Sequence, residues 1–168
     1  MKRIFLAVFT LALFLSSAAS ADLSARSAFT LIQKVPPGEL IEDAAKFLGR
    51  HAFERSIPNS EGIKIRRWGT QNDSWLLEVL HDGETVRATR VTWVTKARRD
   101  QQIIFSQLTT AGKNFFGKSG KFKGLTEAEW SDFGGRWIVR ATMGENGEGV
   151  FLLSGIRDAI MDSGKYGF

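Results

Sequence analysis

Between residues 62 and 96 apolar and polar positions alternate in three runs separated by turn-forming residues, the pattern of an antiparallel meander. In 63–69, Ile63, Ile65 and Arg67 fall on one face and Lys64, Arg66 and Trp68 on the other, because side chains alternate along an extended chain. The run Trp75-Leu76-Leu77-Glu78-Val79-Leu80 is largely apolar at both parities, which predicts a central strand. Asp82-Gly83 supplies two residues that tolerate positive φ and predicts a two-residue hairpin turn. In the third run Val86 and Ala88 share one parity while Val91 and Trp93 share the other, so a bulge is expected near Thr89-Arg90.

Upstream, Leu23, Ser27 and Leu31, with Ala28, Ile32 and Val35 beside them, predict a helix that ends before Pro36-Pro37. A second helix follows, with Glu39, Glu42 and Asp43 at its positive N-terminal end and Leu40, Ile41, Ala44, Ala45 and Leu48 as its apolar stripe. Gly49 suits its C-terminal cap. Those acids have a structural task, so Glu42 and Asp43 are not read as a catalytic pair.

In the second half, Ile104, Leu108, Ala111 and Phe115 recur at helical spacing within 98–116, and a helix is expected there with a strand as the alternative. Thr126 and Glu129 match a capping box, with Leu125 able to pack on Trp130, which predicts a short helix ending at Gly134-Gly135. A second hairpin runs from 136 to 154 around Asn146-Gly147, with Trp137, Val139, Ala141 and Met143 on one face. A short helix over 156–161 closes the chain. The expected class is α+β: an antiparallel sheet, made of the meander and the second hairpin, with helices packed on one face.

Residues 38–49 and 124–135 are both short segments bounded by glycine, and each leads to an Arg-Trp pair, Arg67-Trp68 and Arg136-Trp137. That spacing fits a tandem helix-hairpin repeat with half-units 22–96 and 97–168; glycine and Arg-Trp are such common matches that coincidence fits equally well. The stretch from Val35-Pro36-Pro37-Gly38 through Leu48-Gly49 to the hairpin at Asp82-Gly83 resembles the helix-plus-hairpin unit of the beta-lactamase-inhibitor-like fold, over about residues 36–95. Small outer-membrane assembly lipoproteins share that fold. The resemblance implies a binding or scaffolding module, not an enzyme, and the chain departs from those lipoproteins in lacking a lipid-acceptor cysteine.

Composition narrows the setting. Lys2 and Arg3, the apolar run 4–15 and Ala19-Ser20-Ala21 form a secretory signal pattern, too short in its apolar part to span a bilayer. The expected mature chain, 22–168, is one domain exported to the periplasm or beyond. The 168 residues include no cysteine, which removes disulfides, thiolate nucleophiles and cysteine-held metals. Loss of Lys2 and Arg3 leaves 21 basic against 18 acidic residues, a net charge of +3. That mild excess gives no basis for a nucleic-acid partner.

Candidate chemistry is sparse. Gly112-Lys113-Asn114-Phe115-Phe116-Gly117-Lys118-Ser119 satisfies the phosphate-loop pattern in letters, but the preceding segment reads as helix and Gly120-Lys121-Phe122-Lys123-Gly124 opens no helix. The same loop interleaves Lys113, Lys118, Lys121 and Lys123 with Phe115, Phe116 and Phe122, a composition that suits an anionic envelope component; the alternative is that the phenylalanines plug the core. The two histidines, His51 and His81, lie in no triad or metal pattern, and His81, beside a turn, is expected exposed. Glu127 and Glu129, two apart on the expected helix, diverge. No cofactor is implied.

Arg66, Arg67, Trp68, Arg87 and Arg90, with Trp75 and Trp93, are expected to line a sheet face of the arginine-aromatic kind that marks interaction hot spots. Trp68 is expected to be the most exposed, because Lys64 and Arg66 share its face. The expected function is an exported, non-catalytic binding module of the cell envelope with a protein partner. Two alternatives stand: a carrier of an apolar ligand in a hollow lined by Trp75, Trp93, Trp137 and phenylalanines, or an envelope hydrolase acting on glycan or peptide.

Overall fold

The computed structural model describes residues 23–58, 60, 62–69, 74–132, 135–144 and 149–161. The signal pattern, most of the polar turn after residue 69, the Asn146-Gly147 turn and the chain's end lie outside the described residues. In chain order the elements are α1 (Ala25–Lys34), α2 (Ile41–Leu48), β1 (Phe53–Ser56), β2 (Lys64–Trp68), β3 (Trp75–His81), β4 (Val86–Trp93), α3 (Arg98–Phe116), β5 (Lys121–Lys123), β6 (Glu127–Ser131), β7 (Trp137–Met143), β8 (Val150–Ile156) and α4 (Arg157–Met161). The eight strands form one antiparallel sheet in the order β1-β2-β3-β4-β8-β7-β6-β5. Two four-strand meanders therefore meet through their last strands, β4 and β8.

Strand alternation sorts the side chains into two layers. On one face Leu77, Val79, Val91, Leu152, Val139 and Ala141 join Ala28, Phe29 and Ile32 of α1, Ile41 and Ala44 of α2, and Phe105 and Leu108 of α3 in the main core. The opposite face carries a smaller cluster, in which Ile65, Leu80, Ala88, Ile138 and Leu153 are covered by Ala159 and Ile160 of α4. The class is α+β as expected, with α1, α2 and α3 on one face; the short α4 lies on the other.

Two buried indoles, those of Trp68 and Trp93, fasten the helical layer to the sheet. Trp68 Nε1 donates to the Gly49 carbonyl at the end of α2 (3.0 Å), and Trp93 Nε1 donates to Leu23 O just before α1 (2.9 Å). Thr89 Oγ1 donates to Val35 O (3.1 Å), and Trp137 Nε1 donates to Ser154 Oγ (2.8 Å). Each hydrogen bond satisfies a polar group that burial would otherwise leave unpaired.

Several expectations are corrected. The segment around Thr126 is not a capped helix but strand β6: Ala128 and Trp130 point to the core while Glu127, Glu129 and Ser131 point away, so period-two burial wins over the capping-box match. Leu125 is exposed and staples nothing. With a helix at 41–48 and a strand at 127–131, the two glycine-bounded segments do not share a structure. The β3–β4 hairpin stands, but its loop has four residues, 82–85, closed by Asp82 Oδ1 accepting from the amides of Glu84 (3.2 Å) and Thr85 (2.9 Å). The register shift falls at Leu80/His81, opposite Arg87, rather than at Thr89-Arg90; Val86, Val91 and Trp93 consequently share one face. The segment 98–116 is a helix, not a strand.

The phosphate-loop pattern has a packing explanation. Gly112 and Lys113 lie inside α3, and a Cβ at Gly112 would stand 2.5 Å from Trp130 Cζ2, while one at Gly120 would stand 2.8 Å from Trp130 Cε2. The Trp130 indole thus passes between two glycines, and Gly117, at φ +65°, ends the helix in the left-handed region. In an open helix Gly→Ala adds stability; here Gly112→Ala is expected to remove about 1–3 kcal/mol by overpacking against the ring. Urea unfolding of the variant beside the parent chain measures the difference.

Candidate functional site

The face opposite α1, α2 and α3 is crossed by one continuous row of cross-strand neighbours. Following the register from one edge to the other, Phe53 on β1 faces Arg67 on β2, then Glu78 on β3, Arg90 on β4, Leu153 on β8, Arg140 on β7, Glu129 on β6 and Lys121 on β5. At the usual strand spacing this row is roughly 34 Å long. Its charges alternate, with the apolar Leu153 at the junction of the two meanders. α4 packs on the Ile65, Leu80 and Ala88 side of the row, whereas Leu76, Phe151 and Thr142 on the other side are partly exposed.

Glu78 is the fixed point of the first half. Its residue is 2% exposed, and its two carboxylate oxygens are taken by different arginines. Oε1 accepts from Arg67 Nε (2.9 Å) and Nη2 (2.7 Å), and Oε2 accepts from Arg90 Nε (2.9 Å) and Nη2. Such two-point pairs hold guanidinium planes in a fixed orientation. Each plane also meets an aromatic ring: Arg67 Cζ lies 5.7 Å from the centre of Phe53 and Arg90 Cζ 5.9 Å from that of Phe151. Burial pushes the Glu78 carboxyl up, but Arg90 and Arg67 outweigh it and hold the group below the ordinary carboxylate value.

The second half repeats the charge logic with more solvent access. Arg140 donates to Glu129 Oε2 through Nε (3.2 Å) and Nη2 (2.9 Å) and lies 3.3 Å from Glu127 Oε1. Lys123 reaches Glu127 at 3.0 Å and Glu129 at 3.4 Å. On a strand, residues two apart share a face, so Glu127 and Glu129 converge on Arg140 instead of diverging as expected. Burial raises the Glu129 carboxyl, and Arg140 and Lys123 together bring it below its ordinary value. Neither Glu78 nor Glu129 is thus a carboxylic acid poised to give up a proton.

Of the five residues expected on one face, Arg67 and Arg90 are brought together on this surface. Trp68 is not: it is 7% exposed, in the main core. Arg66 shares that inner face, where it donates through Nε to Glu54 and through Nη2 to Glu42 of α2 (3.0 Å), so ion pairs rather than water take up its charge. Arg87 sits at the bulge and pairs with Asp82 (3.3 Å). Trp75 and Trp93 also pack on the core side. In the basic-aromatic loop, Phe115 and Phe116 pack against the core while Lys113, Lys118, Lys121, Phe122 and Lys123 are exposed, so the loop divides between both readings.

His81 is buried at 1% exposure, contrary to expectation. Its Nδ1 accepts from the Gly83 amide (3.2 Å) and its Nε2 faces Glu54 Oε2 at 3.5 Å. Burial, reinforced by Arg66, pushes its pKa below the usual 6.5, against the pull of Glu54. His51 lies against the Trp68 indole, with ring centres 6.0 Å apart. Among the described residues no group of three or more His, Asp or Glu side chains is placed to hold a metal, and no helix is long and apolar enough to cross a membrane.

Sequence reasoning missed Phe53, Glu78, Phe151, Arg140 and Glu129. The usable signal was Glu78, a lone carboxylate inside an apolar strand, which burial obliges to find a cationic partner on a neighbouring strand.

These shifts fix an expected pH response. Glu78, Glu54 and Glu129 have folded pKa values below 4.5, so their stabilisation is complete above about pH 4.5 and is lost as pH falls through the folded values. His81 is also depressed when folded, so its contribution starts to be lost lower than about pH 6.5, where the unfolded chain takes up the proton first. Melting temperature is expected to decline gently below pH 6.5 and steeply below pH 4.5. Glu78→Gln is expected to cost about 3 kcal/mol at neutral pH, by stranding two arginines, and to flatten the steep limb. Thermal denaturation across pH tests both.

No protein-family model, curated protein or solved structure matches this chain.

Proposed function

We propose that the chain is an exported, non-catalytic binding module of the cell envelope, and that the face carrying the Arg67-Glu78-Arg90 row docks a protein partner. The observation that carries this reading is the immobilised arginine pair on a sheet face that α4 covers only on one side. Glu78 fixes both guanidinium groups before any partner arrives, so little side-chain entropy is lost on docking. Phe53 and Phe151 add apolar area beside them, and arginine with aromatic rings is the composition of interface hot spots. A binding or scaffolding module with helices packed on one face of an antiparallel sheet is also what the resemblance to the beta-lactamase-inhibitor-like fold implies.

Two features favour a module over the alternatives. A carrier of an apolar ligand needs a hollow, whereas Phe29, Phe115, Phe116, Trp130 and Trp137 contact one another, with ring centres 5.0 to 6.4 Å apart. A hydrolase of the glycosidase kind needs a carboxyl held in its acid form, whereas Glu78 and Glu129 are each held as carboxylates by neighbouring cations.

A photo-crosslinking residue placed at Phe151 is expected to capture one specific envelope protein, while the same residue at Ile103, exposed on the outer side of α3, captures none. Arg90→Glu is expected to weaken that capture at least tenfold, in line with loss of a charged hot-spot contact. Equal capture from both positions, or capture unaffected by Arg90→Glu, would assign the partner to another surface.

A further inference from the structure

The β5–β6 hairpin has a surface chemistry unlike the rest of the described chain. Leu125, at 89%, and Phe122, at 59%, are the two most exposed large apolar side chains among the described residues, and they sit three positions apart around Gly124, whose φ of +66° makes the turn. β5 is the edge of the sheet and only three residues long. Exposed lysines stand just before it at 118 and at its two ends, 121 and 123, and Lys123 is paired with Glu127 (3.0 Å) and Glu129 (3.4 Å). Folding gains nothing from a leucine left in water at the tip of a hairpin, since its apolar area is not removed from solvent.

We infer that this hairpin is a membrane-contacting tip that inserts Leu125 and Phe122 into the interfacial layer of an anionic bilayer, with the lysines on its headgroups. Lys121, exposed at the edge, supplies the complementary charge, and a long lysine stem can lie along the acyl boundary while its ammonium group stays with the phosphates. Shape favours lipid over protein. Two side chains at a turn bury far less than the roughly 800 Å² per partner of a stable protein interface, but they suffice to anchor a point about 5–10 Å deep in the headgroup region. Binding of this kind is weak, reversible and reduced by salt. It is independent of the docking role assigned to the sheet face.

The absence of cysteine makes a direct test simple. Leu125→Cys and, as control, Glu84→Cys in the exposed β3–β4 loop are each labelled with a polarity-sensitive fluorophore. The chains are then mixed with vesicles of phosphatidylcholine alone or of equal parts phosphatidylcholine and phosphatidylglycerol. The emission at position 125 is expected to shift to the blue only on the anionic vesicles, and the emission at position 84 to stay water-like. Lys121→Gln should weaken the response about fivefold, and Phe122→Ala more, with unchanged circular dichroism. A label at 125 that stays water-like on anionic vesicles overturns the inference, as do equal shifts at both positions. A label that ignores vesicles but responds to envelope protein would reassign the hairpin to a protein partner.

Discussion

The pairing of β4 with β8 is the constraint on which the rest of the architecture depends. It joins two meanders that are 57 to 67 residues apart at their paired positions, from Trp93 with Val150 to Ala88 with Gly155, and it leaves almost no room for side chains where it is closest. A Cβ at Gly155 would stand 2.7 Å from Ala88 Cβ and 2.8 Å from the Arg87 carbonyl. Gly149, at φ +109°, would bring a Cβ to 2.3 Å from Trp93 O at the other end of the pair. Small residues at both ends of the seam let the two meanders join, and only the joined sheet has one continuous inner face for α1, α2 and α3 and one continuous outer face for the charged row.

The two faces then follow different chemistry. Inside, hydrophobic burial supplies the driving force, and the indole N–H groups of Trp68 and Trp93 are satisfied by backbone carbonyls beside the helices. Outside, α4 takes only part of the apolar area, and the remainder is stabilised by pairing each carboxylate with cations. A buried ion cluster of this kind adds little net stability over apolar packing.

The sequence conveyed the elements well where a single periodicity dominated. The α1 and α3 stripes and the inward face of β7 matched their patterns; the α2 stripe held at Ile41, Ala44 and Leu48 but not at Leu40, which is exposed, and the β3–β4 hairpin formed with a longer loop than its Asp-Gly pair implied. It misled where two local signals competed. Thr126-x-x-Glu129 matched a helix start, yet the alternation of Glu127, Ala128, Glu129 and Trp130 was the stronger constraint, because β7 offered partners for both the backbone and Glu129. Trp68 was misassigned because Lys64 and Arg66 were read as solvent-facing, when Glu54 and Glu42 neutralise them at the sheet margin. The candidate site was half legible: Arg67 and Arg90 could be named from composition, but not the row, because register across strands that are distant in sequence decides which charges meet.

Residue-resolved hydroxyl-radical footprinting of the free chain tests the two-faced account most directly. Phe53 and Phe151, beside the arginine row, are predicted to be oxidised readily, and Trp68, Trp93 and Trp130 to be protected despite the greater intrinsic reactivity of indole. If Trp68 reacts as fast as Phe53, the faces have been assigned the wrong way round, and the Arg67-Glu78-Arg90 row is not the surface that the protein presents.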